Sequence, residues 1–585
     1  MPSPPAPMPT GIAPVYSAKP IAKGVRLLQM VLPQGAVGGP LIITTIEVDP
    51  RAAKGVRVEA ALGGDLVWGT DPTLGRENVS ALTFRTGAVA AINASFFPFA
   101  GNPIGLHVQH GELVTEPASG RALFAVMKSG STRFDALTYE GSVRGTDDIS
   151  FPLDGLNRAP GKPEKNGAAK NELLLYTPIF FRATLPAKDR FETALRVSPA
   201  LPLAAGRDIT GTVTRTGEGG GLPLEMGAIV LSGSGTGADF LRRTAGTVGA
   251  KVTVRLEMRT PSGRSFDLSG VREAVTGGPQ LITDGKILAV AGTEGFDNSF
   301  STTLHPRSAV GTTPDGKILL VTVDGRQKGV SRGISLPELA QRMQQMGCTH
   351  ALNLDGGGST ASSVGGLIVN SPSGSVERPV ASMLVVYAPP LDSRSDPFPG
   401  QRTLDASSAR TVHVGETLPL FSTASAPAVV VGSRDGIGYV TQADGQFHAT
   451  RAGRGVVGWV IPGSKTPVRT IPITVLGAET SGEEGFTPAL TLTPDPADPY
   501  RATLTLKVMN RDGALLVGER VNISVESGIG PVQTASVTTD NSGMARTVLT
   551  WNIGSLPPSR VVTISSSGNR FTAKKIRAEP LLIRP

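Results

Sequence analysis

Apolar and polar positions along this chain of 585 residues alternate in short runs broken by Gly, Pro, Asp and Asn, a pattern that predicts strands and turns more than long helices. Val25–Val31 and Leu41–Val48 are strand-like, and Val56–Leu66 follows in the same style. Ala88–Asn93 is a continuous apolar run ending in a polar residue, which predicts a strand buried on both faces with Asn93 at its carboxyl end. Residues 105–115 read as a hairpin turning at His110-Gly111, and 152–171 as a polar loop rich in Lys, Gly and Pro. Leu173–Phe181 and Ala228–Ser232 are further strands. Gly277-Gly278-Pro279-Gln280 is a tight turn entering Leu281-Ile282.

The pattern is sharpest from Lys317 to Thr360. Ile318–Val323 is an apolar strand ending at Asp324-Gly325-Arg326. Ser335 and Glu338 then have the spacing of a capping box. Leu336, Leu339, Ala340, Met343 and Met346 recur at helical intervals as core positions, and Gly347 stops the helix. A short strand follows and ends at Asn353-Leu354-Asp355-Gly356-Gly357-Gly358-Ser359-Thr360. If the two strands are adjacent and parallel, Asp324 and Asp355 open on one crevice at the carboxyl edge, with Asn93 a candidate for the same place.

The style changes after Tyr387. A Pro- and Asp-rich linker at 389–400 precedes a block of short strands at 401–477. A second, polar linker at 478–487 precedes another such block at 488–578. Each block has the size and turn spacing of a β-sandwich. The expected organisation is a disordered leader at 1–22, an α+β domain with a mixed sheet and helices at 23–388, and two all-β sandwiches.

Net charge is +8 with a pI near 9.6, but Lys and Arg are scattered without interleaved aromatics. Nucleic-acid binding is therefore not expected, whereas attraction to an anionic wall or surface polymer stays open. Cys348 is the single cysteine, which excludes an intramolecular disulfide. It lacks a partner at nucleophile-like spacing and reads as a small core residue. No stretch approaches the ~20 apolar residues of a membrane span. Met1–Thr10 is Pro-rich and lacks the charged and apolar regions of an export signal.

The candidate polar set is Asn93, Gln280, His305, Arg307, Asp324, Arg326, Ser331, Asp355, Ser359 and Thr360, with Gly278 and Gly356–Gly358 as points of close backbone approach. Arg307 could grip an oxyanion bidentately, and His305 could add charge or move a proton. The glycine run lacks the Lys of a nucleotide-binding P-loop, which disfavours nucleotide hydrolysis. The sequence requires no cofactor. Its aspartates and hydroxyls could hold a divalent cation such as calcium, while the scarcity of His and Cys speaks against zinc.

Ala91–Phe97, Thr276–Leu281, Arg307–Gly311, Val323–Arg326, Ala351–Thr360 and Glu377–Val380 stand in the order expected of a phosphodiester glycosidase domain, and over about 25–388 the chain resembles that family, the uncovering-enzyme-like glycosidases. Ala94-Ser95 stands where two glycines are common, and Ser308 where threonine is common. The tail blocks resemble bacterial immunoglobulin-like domains. The second is similar to the invasin type through Asn510–Gly513 and Thr538–Ala545.

The resemblance implies hydrolysis between an anomeric carbon and a phosphodiester, with sugar and phosphomonoester released. It implies Asp355, Asp324 and Asn93 as the catalytic group. Arg307, Ser359, Thr360 and the Gly356–Gly358 backbone are expected on phosphate, and His305, Gln280, Gly278, Arg326 and Ser331 elsewhere on the substrate. The tail implies a bacterial protein that is secreted or held at the cell surface, acting on a sugar phosphodiester or surface glycan. The alternative is a non-catalytic protein that binds surface glycan or wall, or an adhesin.

Overall fold

The computed structural model describes residues 13–391 apart from 71–72, 99–100, 119, 162–169, 199–202, 204, 207 and 375–376. It further describes 410–420, 430–433, 437–460, 469–476, 487–495, 498–509, 517–518, 520–525, 533–540, 543–550, 561–566 and 574–577. The chain divides near Ser395 into two compact units.

The site-bearing sheet of the first unit has the order Val15–Ala22, Val25–Leu32, Leu41–Val48, Ile318–Val323, Arg307–Thr312, His350–Asn353, Gln280–Thr283, Lys286–Ile287. Every neighbouring pair in it is antiparallel. This corrects the expected adjacency; the mixed pairing lies in another sheet of this unit, where Gly155–Leu156 runs parallel to Glu172–Tyr176. Ile318–Val323 and His350–Asn353 do run parallel to each other, but Arg307–Thr312 lies between them and pairs with both. The carboxyl ends that lead to Asp324 and Asp355 therefore still share an edge, and the amino end of the intervening strand brings Arg307 to it.

The apolar runs are continuous because this sheet is covered on both faces. Ile318 and Leu320 point into a core with Ile46, Ile92, Val310 and Leu384. Leu319, Val321 and Val323 point the other way, onto Leu336, Leu339 and Met343 of the helix Leu336–Gln345. The Ser335 hydroxyl accepts from the Glu338 amide at 3.4 Å. The reciprocal half of the capping box is replaced, because the Glu338 carboxylate takes both ends of the Arg332 guanidinium. Gly347, at φ +91°, ends the helix. Cys348 behind it is buried, and that burial pushes its thiol up to about 12. Met343 is core, as its spacing predicts.

A second sheet packs on the first through the shared core, with the order Leu367–Ile368, Ser362–Val364, Ala90–Asn93, Ser382–Tyr387, Arg57–Leu62. Two more complete this unit: a five-stranded sheet that includes His107–Gln109 and Val271–Thr276, and an eight-stranded one around the helix Thr236–Ala245. The unit is thus mostly β with a few helices.

The expected leader is corrected in part, because Val15–Ala22 is an edge strand paired with Val25–Leu32 across a turn at Lys23-Gly24. Pro20 fits there because an edge strand can omit a ladder donor. Residues 1–12 lie outside the described residues, as does 162–169 of the expected 152–171 loop.

In the second unit Arg410–His413 pairs in parallel and Gly453–Val460 antiparallel with Arg469–Leu476. Thr417–Pro419, Gln446–Ala449 and Gly438–Thr441 form a three-stranded sheet. Further on are a three-stranded sheet (Thr487–Asp495, Asp498–Met509, Met544–Thr550) and a four-stranded one (Gln533–Thr538, Arg520–Val525, Val561–Ser566, Lys574–Arg577). The linkers fall largely outside the described residues, with 392–409 and 477–486, as does the Asn510–Gly513 motif.

Gly311 offers a test of the packing between sheet and helix. A β-carbon there would lie 2.7 Å from Cys348 Sγ, 2.8 Å from Met343 Cε and 3.0 Å from the His350 carbonyl oxygen. The two side chains can yield but the carbonyl is fixed by the sheet. Gly311→Ala is expected to lose about 1–3 kcal/mol in urea unfolding, whereas an unchanged midpoint would show that the layer has slack.

Candidate active site

Asn93 is the joint of the site. It is 1% exposed and sits at the end of its strand in the second sheet. Its Nδ2 donates to the Asp355 carbonyl at 2.6 Å, while its Oδ1 accepts from Ser308 Oγ at 2.6 Å and from the Ala361 amide at 3.2 Å. Ser308 belongs to the first sheet and Ala361 leads into the second, so one side chain fixes both to the backbone of Asp355. The Asp355 amide adds a bond to the Ala94 carbonyl at 2.9 Å. Asn93 is thus engaged in positioning and has its polar atoms committed to protein.

Asp355 is partly exposed at the sheet edge. Burial of its carboxyl raises its pKa to about 6, against the Ser359 hydroxyl, the Gly356 amide and the Arg378 charge, which all favour the carboxylate. The amide of Gly356 donates to Asp355 Oδ1 at 2.9 Å, and that of Gly357 to the Pro306 carbonyl at 2.8 Å. This narrows the expected phosphate cradle, since two of its three glycine amides are already used. The glycines instead let side chains come close. Gly357 has φ +61°, and a β-carbon on it would be 3.2 Å from Arg326 Nη1. One on Gly358 would collide with Arg378 Nη2. Two guanidinium groups therefore flank the loop, and both arginines are exposed.

Arg326 points its Nε and Nη2 at His305 Nδ1, at 3.3 and 3.2 Å. Burial and then the charges of Arg326 and Arg307 lower the His305 pKa, so the ring is neutral with Nδ1 as acceptor. His305 orients Arg326 and adds no charge of its own. Arg378 Nη1 donates to Ser359 Oγ at 3.3 Å. The neighbouring Glu377 is buried and accepts from the Ser80 amide and hydroxyl at the start of the helix Val79–Thr86, which anchors the loop that carries Arg378.

Asp324 is 1% exposed, and its oxygens accept from Asn370 Nδ2 at 2.8 Å and the Ser371 amide at 2.9 Å. Burial outweighs those two bonds and lifts its pKa to about 7. Asn370 also accepts from the Ser362 amide at 2.8 Å, so Asp324 is tied to the loop after Thr360 and lies behind the surface of the site. Thr360 is buried, with a hydroxyl that finds no partner among the described residues.

Four expectations are corrected. Arg307 is 2% exposed, and its Nε and Nη2 donate to the carbonyls of Ile334, Phe300 and Thr303. A bidentate grip on an oxyanion would need those donors, so Arg307 braces the site. Ser331 is wholly buried, between the Asp324 carbonyl and the Ile42 amide, and cannot meet a substrate. The Gln280 side chain turns along its own strand to Thr283 Oγ1 at 2.8 Å. Gly278 is held by its amide to the Asn353 carbonyl and by its carbonyl to Asn353 Nδ2, both at 2.7 Å, so it too is framework.

Arg378, Asn370 and Ser371 stand outside the candidate set read from the sequence, as does Gln327, whose side chain donates to the Ser371 carbonyl at 2.8 Å. Asn370-Ser371 follows the apolar run Leu367-Ile368-Val369 just as Asn93 follows its own. That repeated signal could have found the pair. Among the described residues one cluster has metal-ligand spacing: Glu59, His110 and Glu273. It lies apart from this edge, and Arg57 and Arg272 already pair with Glu59, so it is an ion-pair network.

Residues 206–387 match the family model described as phosphodiester glycosidase. A stretch of 188 residues is 32% identical to the SPbeta prophage-derived uncharacterized protein YomE of Bacillus subtilis strain 168, covering 30% of this chain and 29% of that protein. The N-acetylglucosamine-1-phosphodiester alpha-N-acetylglucosaminidase of Mus musculus is 29% identical over 185 residues, 30% of this chain and 35% of its own. The chain thus matches about a third of these relatives' length. A crystal structure of a hypothetical protein from Synechocystis shares the fold, with a TM-score of 0.51 at 21% identity over 64% of each chain. Asn93 lies outside the matched segment, yet it supports Asp355 inside it.

Asn93→Ala removes three hydrogen bonds and strands the buried Ser308 hydroxyl. It is expected to cost about 2–4 kcal/mol in chemical denaturation. A cost below about 0.5 kcal/mol would show that the two sheets are not joined here.

Proposed function

We propose that the first unit hydrolyses the bond between the anomeric carbon of a sugar and a phosphodiester, with an N-acetylglucosamine-1-phosphodiester as the model substrate. The observation that carries this reading is the pairing of Arg326 and Arg378 across the glycine loop with a partly exposed Asp355 of raised pKa. Two cations suit a phosphoryl group, and one carboxylate beside them suits a centre that gains positive charge. The family of residues 206–387 supports the same reaction class.

In this reading the C1–O bond breaks and its electron pair stays on the phosphate oxygen. The leaving group is a phosphomonoester, weakly basic and steadied by the two arginines, so it needs little proton donation. The carboxylate of Asp355 faces the oxocarbenium-like centre. Water adds its oxygen to C1 and gives its proton to Asp355 or solvent. Neutral His305 keeps Arg326 turned to the loop without competing for phosphate. Asp324, Asn370 and Ser371 hold the frame.

A single buried cysteine, and tail blocks whose sequence resembles bacterial immunoglobulin-like domains, fit a secreted or surface-held protein whose substrate is a surface glycan. The lack, among the described residues, of a helix long and apolar enough to cross a membrane leaves that reading open.

The test is release of free sugar from a panel of sugar-1-phosphodiesters by the whole chain. Asp355→Asn is expected to lower kcat at least about 100-fold while the protein stays folded. The working form is the carboxylate, so wild-type kcat/KM should fall as pH drops below about 6. A folded Asp355→Asn variant as fast as wild type would sink the assignment.

A further inference from the structure

Beside the glycine loop stands a wall of aromatic rings that the reaction above does not use. Phe96, Phe296 and Phe300 are half-buried and touch one another. Phe296 and Phe300 stack at 4.6 Å between centroids, and Phe96 meets them at 5.4 and 6.1 Å.

Two of the rings lie on backbone linked to the site, and the third packs against it. Phe96 lies two residues past Ala94, whose carbonyl holds the Asp355 amide. Phe300 lends its carbonyl to Arg307, whose guanidinium also lies over its ring at 4.7 Å. Phe296 packs on Gly278, where a β-carbon would sit 2.8 Å from the ring. The wall is therefore tied to the site through Ala94, Arg307 and Gly278.

Arg121 lies on this wall, 4.6 Å from the Phe296 centroid and 5.5 Å from that of Phe96. Its guanidinium makes no hydrogen bond and no ion pair among the described residues. Glu294 is the nearby acid and acts on Arg121 through its charge, while its two oxygens accept from the amides of Ala122 at 2.8 Å and Gln280 at 2.7 Å rather than from the guanidinium. A stacked guanidinium keeps its N–H edge free, and that edge matches a phosphate or carboxylate. Arg121 is thus oriented by the rings, with Glu294 near it but no anion hydrogen-bonded to its guanidinium among the described residues.

We propose that this wall receives the alcohol side of the phosphodiester, and that Arg121 reads a second anionic group carried on that alcohol. The inference rests on the hydrolase reading for its placement, but its ligand contact stands alone. The substrate class is then a sugar phosphodiester whose leaving alcohol bears another phosphate or a carboxylate, as in an anionic surface polymer.

The experiment uses two probes, the methyl ester of N-acetylglucosamine-1-phosphate and the corresponding 3-phosphopropyl ester, with dissociation constants measured by calorimetry and sugar release measured in parallel. Wild type is expected to bind the phosphopropyl ester about tenfold more tightly. Arg121→Gln should erase that preference and leave the methyl ester unchanged. Arg121→Lys, which keeps the charge but loses the fork, should retain part of it. Equal binding of the two esters by wild type, no binding of either, or a preference that survives Arg121→Gln would overturn the proposal. Preferential binding without sugar release would support the Arg121 contact and refute the hydrolase reading.

Discussion

The three hydrogen bonds of Asn93 are the constraint on which the site depends. They gather Ser308 of the first sheet, Ala361 at the start of the second, and the carbonyl of Asp355. A buried amide with each of these contacts made is rigid, because leaving any one unmade in a dry interior costs about 1–3 kcal/mol. Asp355 is therefore placed by its backbone, and its carboxyl is free to be tuned by what surrounds it. The same logic explains why Arg307 and Ser331 sit so near the site without facing a ligand: both are used to hold main chain.

Electrostatics then sorts the charged groups. Asp324 and Asp355 are both raised by burial, yet for different ends. Asp324 has two protein donors and lies behind the site, so its burial serves the frame. Asp355 is partly exposed at the sheet edge, with Arg378 and Ser359 beside it. The arginines divide likewise. Arg307 is spent on carbonyls, whereas Arg326 and Arg378 are exposed at the loop. With His305 neutral, the loop keeps a cationic edge without a charged imidazole.

Much of the edge was legible in the sequence. A polar residue closing an apolar strand marked Asn93, Asp324 and Asp355, and the helix between the last two followed from its cap and spacing. The sequence could not reveal that Arg307–Thr312 intervenes between the two strands, because strand order is set by long-range pairing. Nor could it separate Arg307 from Arg326, since both are arginines beside a strand end and burial alone decides their use. Arg378 escaped notice as a ligand group because its place depends on Glu377 reaching the helix at Ser80, some 300 residues earlier in the chain. The strand Val15–Ala22 was hidden by the Pro-rich composition just before it.

The central claim is that the phosphoryl group sits between Arg326 and Arg378, above the glycine loop, with the anomeric carbon against Asp355. A crystal structure of Asp355→Asn with an uncleaved N-acetylglucosamine-1-phosphodiester addresses it directly. Phosphoryl oxygens within hydrogen-bonding distance, roughly 2.7–3.2 Å, of both guanidinium groups are the predicted result. A phosphate bound away from both arginines, or a sugar whose anomeric carbon faces another part of the molecule, would contradict it.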